Sequence, residues 1–222
     1  MGHREEDVKQ SMRNFLAGGI YAILSEEHSQ GRDNLEVARE VLNAGVRVLQ
    51  YREKNKKAGA MLQECLALRE MTRKAGATFI VNDHVDLALL VEADGVHVGQ
   101  EDLPPAAVRS LLGPDRIVGL STHCPSQARA AQTSGLVDYI GVGPIFATRT
   151  KKDVCDPVGL EYLDYVVGHI PMPFVAIGGV KEHNLGEVTR RGARMVCLVT
   201  EIVGAKDIGA TVARLTGAMG RE

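Results

Sequence analysis

The sequence lacks any long apolar run: nowhere do about 18 apolar residues follow one another, as a transmembrane helix requires. The segment from Met1 to Leu16 is polar and charged, without the apolar stretch of a signal peptide. Excess charge is also absent, since 26 basic residues stand against 28 acidic ones. These absences argue against association with a membrane. They also argue against a net positive charge of the whole protein that would attract nucleic acid. We expect a cytoplasmic protein whose partners are small molecules.

Cysteine pairs at metal-binding or disulfide-like spacing are missing as well. The four cysteines are far apart, and none belongs to a C-x-x-C motif or a Cys/His ligand pattern. This scatter indicates free thiols in a reducing compartment and argues against a zinc site. The cysteines are Cys65, Cys124, Cys155 and Cys197.

What the sequence does contain is a repeated alternation of apolar runs and amphipathic stretches within an ordinary globular composition, 45% hydrophobic and 24% charged. Eight short runs rich in Val and Ile each precede a segment with helical periodicity, as in a parallel sheet buried on both faces. No G-x-G-x-x-G follows the first run, which argues against an open dinucleotide-binding sheet. We therefore predict an α/β protein, a single-domain (β/α)8 TIM barrel over 18–222, with 1–17 as an N-terminal arm or an extra helix. The runs begin at Gly19, Val46, Thr78, Gly95, Arg116, Tyr139, Phe174 and Met195.

Polar residues end nearly every apolar run, where barrel enzymes place their active sites. After the second run, alternation puts Gln50, Arg52 and Lys54 on one face, a direction suited to gripping phosphate oxygens. A solvated charged loop is the alternative. Asp83 and Asp102 follow the third and fourth runs, and carboxylates at neighbouring positions of the rim suit magnesium. For Asp83 alone, a helix N-cap or a turn is the alternative.

The second half of the chain supplies residues suited to anions. The loop after the sixth run combines hydroxyl and cationic side chains, those of Thr148, Arg149, Thr150 and Lys151. The alternative is a basic loop that is only solvated, which would have the same sequence pattern. Gly179 and the Val199-Thr200 pair end the last two runs, where barrels often bind phosphate. Covalent catalysis is not expected, since no G-x-S-x-G elbow surrounds Ser121 and no cysteine pairs with a histidine in a known signature.

Taken in order from Ile20 to about Ala213, these stretches resemble the thiamine-phosphate synthase (thiamine-phosphate pyrophosphorylase) family. Each stretch alone is weak evidence for the family, whereas the complete set in this order is specific to it. The stretches are QYREK from Gln50, FIVNDHVD from Phe79, ADGVHVGQEDLP from Ala93, GLSTH from Gly119, DYIGVGPIFATRTKKD from Asp138, PVGLE from Pro157 and AIGG from Ala176.

The resemblance implies an Mg²⁺-dependent transferase of thiamine biosynthesis. Such an enzyme joins hydroxymethylpyrimidine diphosphate to a thiazole phosphate and releases diphosphate, by a dissociative route without a protein nucleophile. One Mg²⁺ per subunit would lie on Asp83 and Asp102, and a homodimer is the base-rate expectation. Position by position, the pyrimidine diphosphate would contact Gln50, Tyr51, Arg52, Glu53, Lys54, Asn82, Ser121 and Lys151, with Arg52, Lys54, Ser121 and Lys151 as catalytic groups. The thiazole phosphate would contact Thr148, Arg149, Thr150, Gly179, Val199 and Thr200.

Two departures from the family pattern and two alternatives accompany this interpretation. Glu201 puts a carboxylate beside the phosphate site, where many relatives have alanine, although alternation turns it away from Thr200. Tyr51 replaces an aliphatic residue and is expected to point into packing. A sister family, the thiazole tautomerases, shares the fold and transfers a proton with a histidine placed like His123. The same scaffold could also bind thiamine phosphate without catalysis. The complete set of rim residues favours the synthase.

Overall fold

The protein forms a closed barrel of eight parallel strands in a computed structural model that describes residues 9–148, 150 and 155–220. Each strand pairs with its neighbours in sequence, and β1 closes the barrel against β8 with Gly19 opposite Met195. The predicted TIM-barrel fold is therefore confirmed. The strands are β1 (Gly19–Leu24), β2 (Val48–Tyr51), β3 (Thr78–Asn82), β4 (Gly95–Val98), β5 (Ile117–Thr122), β6 (Tyr139–Val142), β7 (Phe174–Ala176) and β8 (Met195–Leu198).

Several helices begin or end at signals present in the sequence. Asp33 caps the helix after β1, its Oδ1 accepting from the Glu36 amide at 2.7 Å. Gly76 ends the longest helix in the left-handed conformation, and Pro105 and Pro125 occupy first-turn positions. The helices are α1 (Lys9–Ala17), α2 (Asn34–Asn43), α3 (Ala58–Ala75), α4 (Val85–Leu90), α5 (Pro105–Leu112), α6 (Pro125–Ser134), α7 (Gly159–His169), α8 (Leu185–Thr189), α9 (Thr200–Val203) and α10 (Ile208–Met219), with a short 3-10 turn at Glu26–His28.

Helix α1 closes the amino-terminal mouth of the barrel. Met12 and Phe15 are buried among side chains that point to the barrel axis, and the Phe15 ring centroid lies 4.4 Å from that of Tyr139. Asn14 ties the helix to the start of β3, donating to Thr78 Oγ1 at 3.0 Å and Gly76 O at 3.1 Å. Over 9–17 the chain is thus an added helix, while the division of the chain at residue 17 stays a prediction.

Two Arg–Asp pairs fasten helices to strand starts in the same way. Arg69 on α3 holds Asp94 through two hydrogen bonds of 2.8 and 3.0 Å, and Asp94 also accepts from the Phe79 amide. Arg109 on α5 and Asp138 repeat this arrangement before β6, at 2.6 Å. These pairs lie away from the carboxyl-terminal rim, where the cavity opens.

Candidate functional site

A cavity of about 530 Å³ lies inside the carboxyl-terminal end of the barrel, lined by residues from all eight strands and from the loops that follow them. Its floor is made of inward-facing side chains of the strands, and its rim carries charged and hydroxyl side chains. This is the location that parallel barrels use for catalysis. Most residues predicted from the sequence to contact ligands meet here.

The side chains at the end of β2 point alternately to the cavity and to the surrounding helices, as predicted. Gln50, Arg52 and Lys54 line the cavity. Tyr51 and Glu53 face the surrounding helices instead: Tyr51 Oη donates to Glu64 Oε2 at 2.8 Å, and Glu53 Oε1 accepts from the Asn34 amide group at 2.9 Å. The side chains of Tyr51 and Glu53 are therefore not among those that line the cavity, and the contact of these residues with the pyrimidine diphosphate stays a prediction. In a strand, neighbours in sequence point to opposite faces, so the run QYREK cannot present all five side chains to one ligand.

Asp83 and Asp102 come together at the rim between β3 and β4. Burial raises the pKa of Asp83, the nearby Asp102 carboxyl raises it further, and the hydrogen bond from Lys54 only partly offsets both. Asp102 Oδ2 accepts from the Gly99 amide at 2.7 Å, which orients its carboxyl. Burial and the Asp102 carboxyl disfavour the ionised form of Asp83, and a divalent cation bound by the two carboxylates would offset this effect.

The described residues include no group of three or more Cys, His, Asp or Glu side chains placed to hold a metal ion. A cation on Asp83 and Asp102 would therefore need water and ligand oxygens to complete its shell. That is how Mg²⁺ binds when it also contacts a substrate diphosphate. The oxygen-only donor pair fits Mg²⁺ better than zinc.

A chain of five hydrogen-bonded side chains crosses the cavity floor. Gln50 Nε2 donates to Tyr21 Oη, Tyr21 Oη contacts Tyr139 Oη, Tyr139 Oη contacts His97 Nδ1, and His97 Nε2 contacts Ser121 Oγ, each at 2.9 Å. Sequence reasoning missed the three central members because they lie within or at the start of apolar strands, whereas it considered the carboxyl-terminal ends. A polar side chain at an inward-facing position of a buried strand, as in GVHV of β4, is the signal that would have found them.

The opposite rim, formed after β6 to β8, offers hydroxyls and a narrow backbone turn. Thr150 N donates to Thr148 Oγ1 at 3.3 Å, so this loop is folded on itself toward the cavity. Gly179 has a φ of 64°, and a Cβ there would come within 2.5 Å of Ala147 O, so no larger residue fits. Val199 and Thr200 also line the cavity. Arg149 and Lys151, predicted to bind the two substrates, lie outside the described residues.

Lys181 adds a cation to this rim that the sequence analysis did not identify. Its Nζ lies 3.3 Å from Thr200 Oγ1 and 2.7 Å from Glu201 Oε1, and Lys181 lines the cavity while Glu201 does not. Burial alone would raise the pKa of Glu201, but the hydrogen bonds from Lys181 and the Glu182 amide outweigh it and lower the pKa. Glu201 thus holds a lysine beside Thr200, instead of presenting a bare carboxylate to the cavity. The cue in the sequence was a cation two residues after Gly-Gly.

His123 lines the same cavity near β6. Its Nδ1 lies 2.6 Å from Gly143 O, and because a carbonyl oxygen only accepts, Nδ1 carries a proton. In the neutral ring Nε2 is then an acceptor. The histidine that the tautomerase alternative requires is present at the site.

Comparison with known proteins places the chain in a family. Residues 20–202 match the family described as thiamine monophosphate synthase. The chain is 61% identical over 214 residues to a thiamine-phosphate synthase of Pelotomaculum thermopropionicum, covering 96% of this chain and 98% of the relative. It is 52% identical to one of Lawsonia intracellularis, with 92% and 94% covered.

Structural comparison agrees with the sequence comparison. A thiamine phosphate pyrophosphorylase structure from Pyrococcus furiosus superposes with a TM-score of 0.84 at 33% identity, over 94% of this chain and 97% of that one. No described helix combines the length and the apolarity needed to cross a membrane. On the match over 20–202 and on these full-length identities, the chain belongs to the thiamine monophosphate synthase family.

Proposed function

We propose that the protein joins hydroxymethylpyrimidine diphosphate to a thiazole phosphate, yielding thiamine phosphate and diphosphate. The observation that carries this proposal is one cavity with two different anion-binding rims. Carboxylates and cations occupy the β2 to β4 side, and hydroxyls, a glycine turn and Lys181 occupy the β6 to β8 side. In a closed barrel of eight strands these sides face each other. Family membership makes the protein a transferase of thiamine biosynthesis.

The pyrimidine diphosphate is proposed to bind on the β2 to β5 side. Arg52 and Lys54, just beyond the end of β2, line the cavity together with the buried Gln50, and Asn82 ends the neighbouring strand β3. One Mg²⁺ per subunit would be held by Asp83 and Asp102, and when bound it supplies neutralisation of the diphosphate charge. Ser121 and Lys151 complete the predicted contacts.

The proposed reaction breaks the bond between the pyrimidine methylene carbon and the diphosphate oxygen, and the bonding electrons leave with diphosphate. The thiazole nitrogen then donates its lone pair to the methylene carbon, so no protein nucleophile takes part. What the side chains must do is stabilise charge growing on the leaving group, the role we assign to Arg52, Lys54 and Lys151. Ser121 is the remaining group predicted to be catalytic, through its hydroxyl.

The thiazole phosphate is proposed to bind opposite, against Thr148, Thr150, Gly179 and the Val199-Thr200 pair, with Arg149 as a further cation. The φ of 64° at Gly179 turns the backbone at the point where a phosphate would approach it. Lys181 Nζ, already within 3.3 Å of Thr200 Oγ1, can reach the same ligand.

We further propose that the protein is a cytoplasmic homodimer and does not bind nucleic acid. Sedimentation velocity would measure the mass of the assembly.

The test is to mix the two phosphorylated precursors with Mg²⁺ and to follow diphosphate release. Stoichiometric release of diphosphate with formation of thiamine phosphate supports the synthase. Conversion of a thiazole phosphate without diphosphate release, abolished by His123→Ala, would support the tautomerase instead. Calorimetry that detects tight binding of thiamine phosphate without turnover would support a binding protein.

The metal assignment has its own test in matched variants. Asp83→Asn and Asp102→Asn should each abolish Mg²⁺ binding by calorimetry and lower the rate of condensation by about a hundredfold or more. Asp86→Asn, at an exposed position in the first turn of α4, is the control and should behave as the unsubstituted protein does. Full activity of either rim variant in excess chelator would disprove the assignment.

A further inference from the structure

The hydrogen-bonded chain across the cavity floor has a direction, and that direction determines what Ser121 can offer a ligand. The chain links residues of β2, β1, β6, β4 and β5 in that order. Tyr21, Gln50 and Tyr139 are almost entirely buried. In such surroundings every hydroxyl proton needs an acceptor, because an unpaired polar group there is costly.

The direction follows from counting protons, starting at Gln50. Its Nε2 donates to Tyr21 Oη, which therefore accepts at that contact. Among the described residues, the other hydrogen-bond partner of Tyr21 Oη is Tyr139 Oη, so the single phenolic proton of Tyr21 goes there. Tyr139 has likewise one proton, and it is left to donate to His97 Nδ1.

The same count fixes the tautomer of His97 and then the role of Ser121. A neutral histidine whose Nδ1 accepts must carry its proton on Nε2, and that proton points to Ser121 Oγ. Ser121 Oγ then accepts from His97, and its own proton is available to the cavity. At the other end, Gln50 donates with its amide nitrogen and accepts no hydrogen bond from a described residue, which leaves its carbonyl oxygen for a ligand.

The chain is built into the barrel rather than formed by chance contacts. Gly119 lies opposite Tyr139 in the sheet, and a Cβ at Gly119 would come within 2.3 Å of the Tyr139 ring. Burial raises the pKa of both Tyr21 and Tyr139, so both remain hydroxyls and can relay direction at neutral pH.

We propose that Tyr21, Tyr139 and His97 are positioning residues that make Ser121 a hydrogen-bond donor, and Gln50 an acceptor, toward the substrate. The ligand atom facing Ser121 must then carry a free lone pair, as a pyrimidine ring nitrogen or a phosphate oxygen does, and the atom facing Gln50 must carry a hydrogen. The identity of the substrate rests on the proposed function. The direction of the hydrogen-bonded chain does not rest on the proposed function, because it depends only on side chains of the protein.

The first test is the tautomer of His97 in the ligand-free protein, read from long-range ¹H–¹⁵N NMR couplings at neutral pH. We expect a proton on Nε2 and none on Nδ1. A proton on Nδ1 would reverse the chain, make Ser121 an acceptor and overturn the proposal. A doubly protonated ring would overturn it as well. This measurement needs no substrate, so it stands or fails separately from the synthase assignment.

The second test asks whether His97 acts through Ser121, with kcat of the condensation as the readout. Ser121→Ala should lower kcat by about tenfold, the effect of one lost hydrogen bond. His97→Gln keeps an N–H at the position of Nε2 and should retain kcat within about threefold, whereas the shorter His97→Asn should fall to the level of Ser121→Ala. The double variant with His97→Asn and Ser121→Ala should be no slower than Ser121→Ala, and losses that multiply would show independent roles.

Discussion

At the scale of single residues, Asp83 combines an unusual backbone with an unfavourable charge. Its φ is 60°, in the left-handed region that Asn and Asp tolerate better than other side chains that carry a Cβ. Its pKa is raised by burial and by Asp102, so the ionised form is disfavoured in the folded protein. For a carboxyl group whose pKa is raised on folding, stability is lost as pH rises through the titration range. The position therefore suits a ligand rather than the stability of the fold.

Two substitutions of Asp83 separate charge from backbone conformation. Asp83→Asn removes the disfavoured charge and tolerates the same φ, so the Mg²⁺-free variant should unfold at the same or a higher temperature. Asp83→Ala should lower the free energy of unfolding by about 1 kcal/mol, because alanine is strained in the left-handed region. Thermal unfolding without metal checks both, and equal destabilisation by the two substitutions would contradict the explanation.

We expect substitution of Lys181 to affect the binding of only one of the two substrates. Lys181→Met should raise the KM for the thiazole phosphate by about tenfold, as expected for one lost charge-assisted hydrogen bond, and leave the KM for the pyrimidine diphosphate unchanged. Lys206→Met, an exposed lysine just beyond α9, is the matched control. Steady-state kinetics with each substrate varied in turn measures the effect. Equal changes in both KM values would mean that Lys181 supports the whole site rather than the phosphate.

At the scale of elements, α1 connects the barrel floor to the site. The Phe15 ring packs 4.4 Å from Tyr139 and 5.8 Å from Tyr21, the two tyrosines at the centre of the hydrogen-bonded chain. The helix has alternating exposure, with Met12 and Phe15 buried and Leu16 53% exposed. An element outside the predicted barrel thus completes the packing beneath the cavity.

Two neighbouring substitutions in α1 test this packing. Phe15→Ala should lower the free energy of unfolding by about 3 kcal/mol, because it leaves a cavity beneath two buried rings. Leu16→Ala, one residue on but largely exposed, should change it by less than about 0.5 kcal/mol. Urea unfolding provides both values. Equal and small effects would show that α1 is not part of the stable core.

At the scale of the whole molecule, the two ends of the barrel sequence are joined beside the cavity. β1 pairs with β8, and Arg32, after β1, reaches across this closure. Its Nη2 donates to Val203 O and Ala205 O, both at 2.7 Å, at the carboxyl-terminal end of α9. The guanidinium group therefore connects the first and last βα units next to Thr200 and Glu201.

Removing this link should weaken closure without touching the site. Arg32→Met should lower the free energy of unfolding by about 2 kcal/mol, because two carbonyl oxygens lose a charged donor. Arg39→Met, an exposed arginine on α2, is the control and should be nearly neutral. Chemical denaturation measures the difference. An Arg32→Met variant as stable as the control would show that strand pairing alone closes the barrel.

The sequence by itself determined the eight βα units, several helix boundaries such as those at Asp33 and Gly76, and the rim positions of Gln50, Arg52, Lys54, Asp83 and Asp102. These follow from local rules: apolar periodicity, capping residues, and the fact that strand ends in a parallel barrel share one rim. Alternation also predicts that Tyr51 packs away from the cavity, whereas the family resemblance assigns the whole run QYREK, including Glu53, to the ligand.

Only the tertiary structure decided which side chains far apart in sequence touch one another. Tyr21 and Tyr139 are 118 residues apart, and Lys181 and Glu201 are 20 apart, yet each pair is within hydrogen-bond distance. The packing of α1 under the barrel and the direction of the chain to Ser121 depend on the same closure. Such contacts arise from register and curvature of the closed sheet, properties that no single stretch of sequence carries.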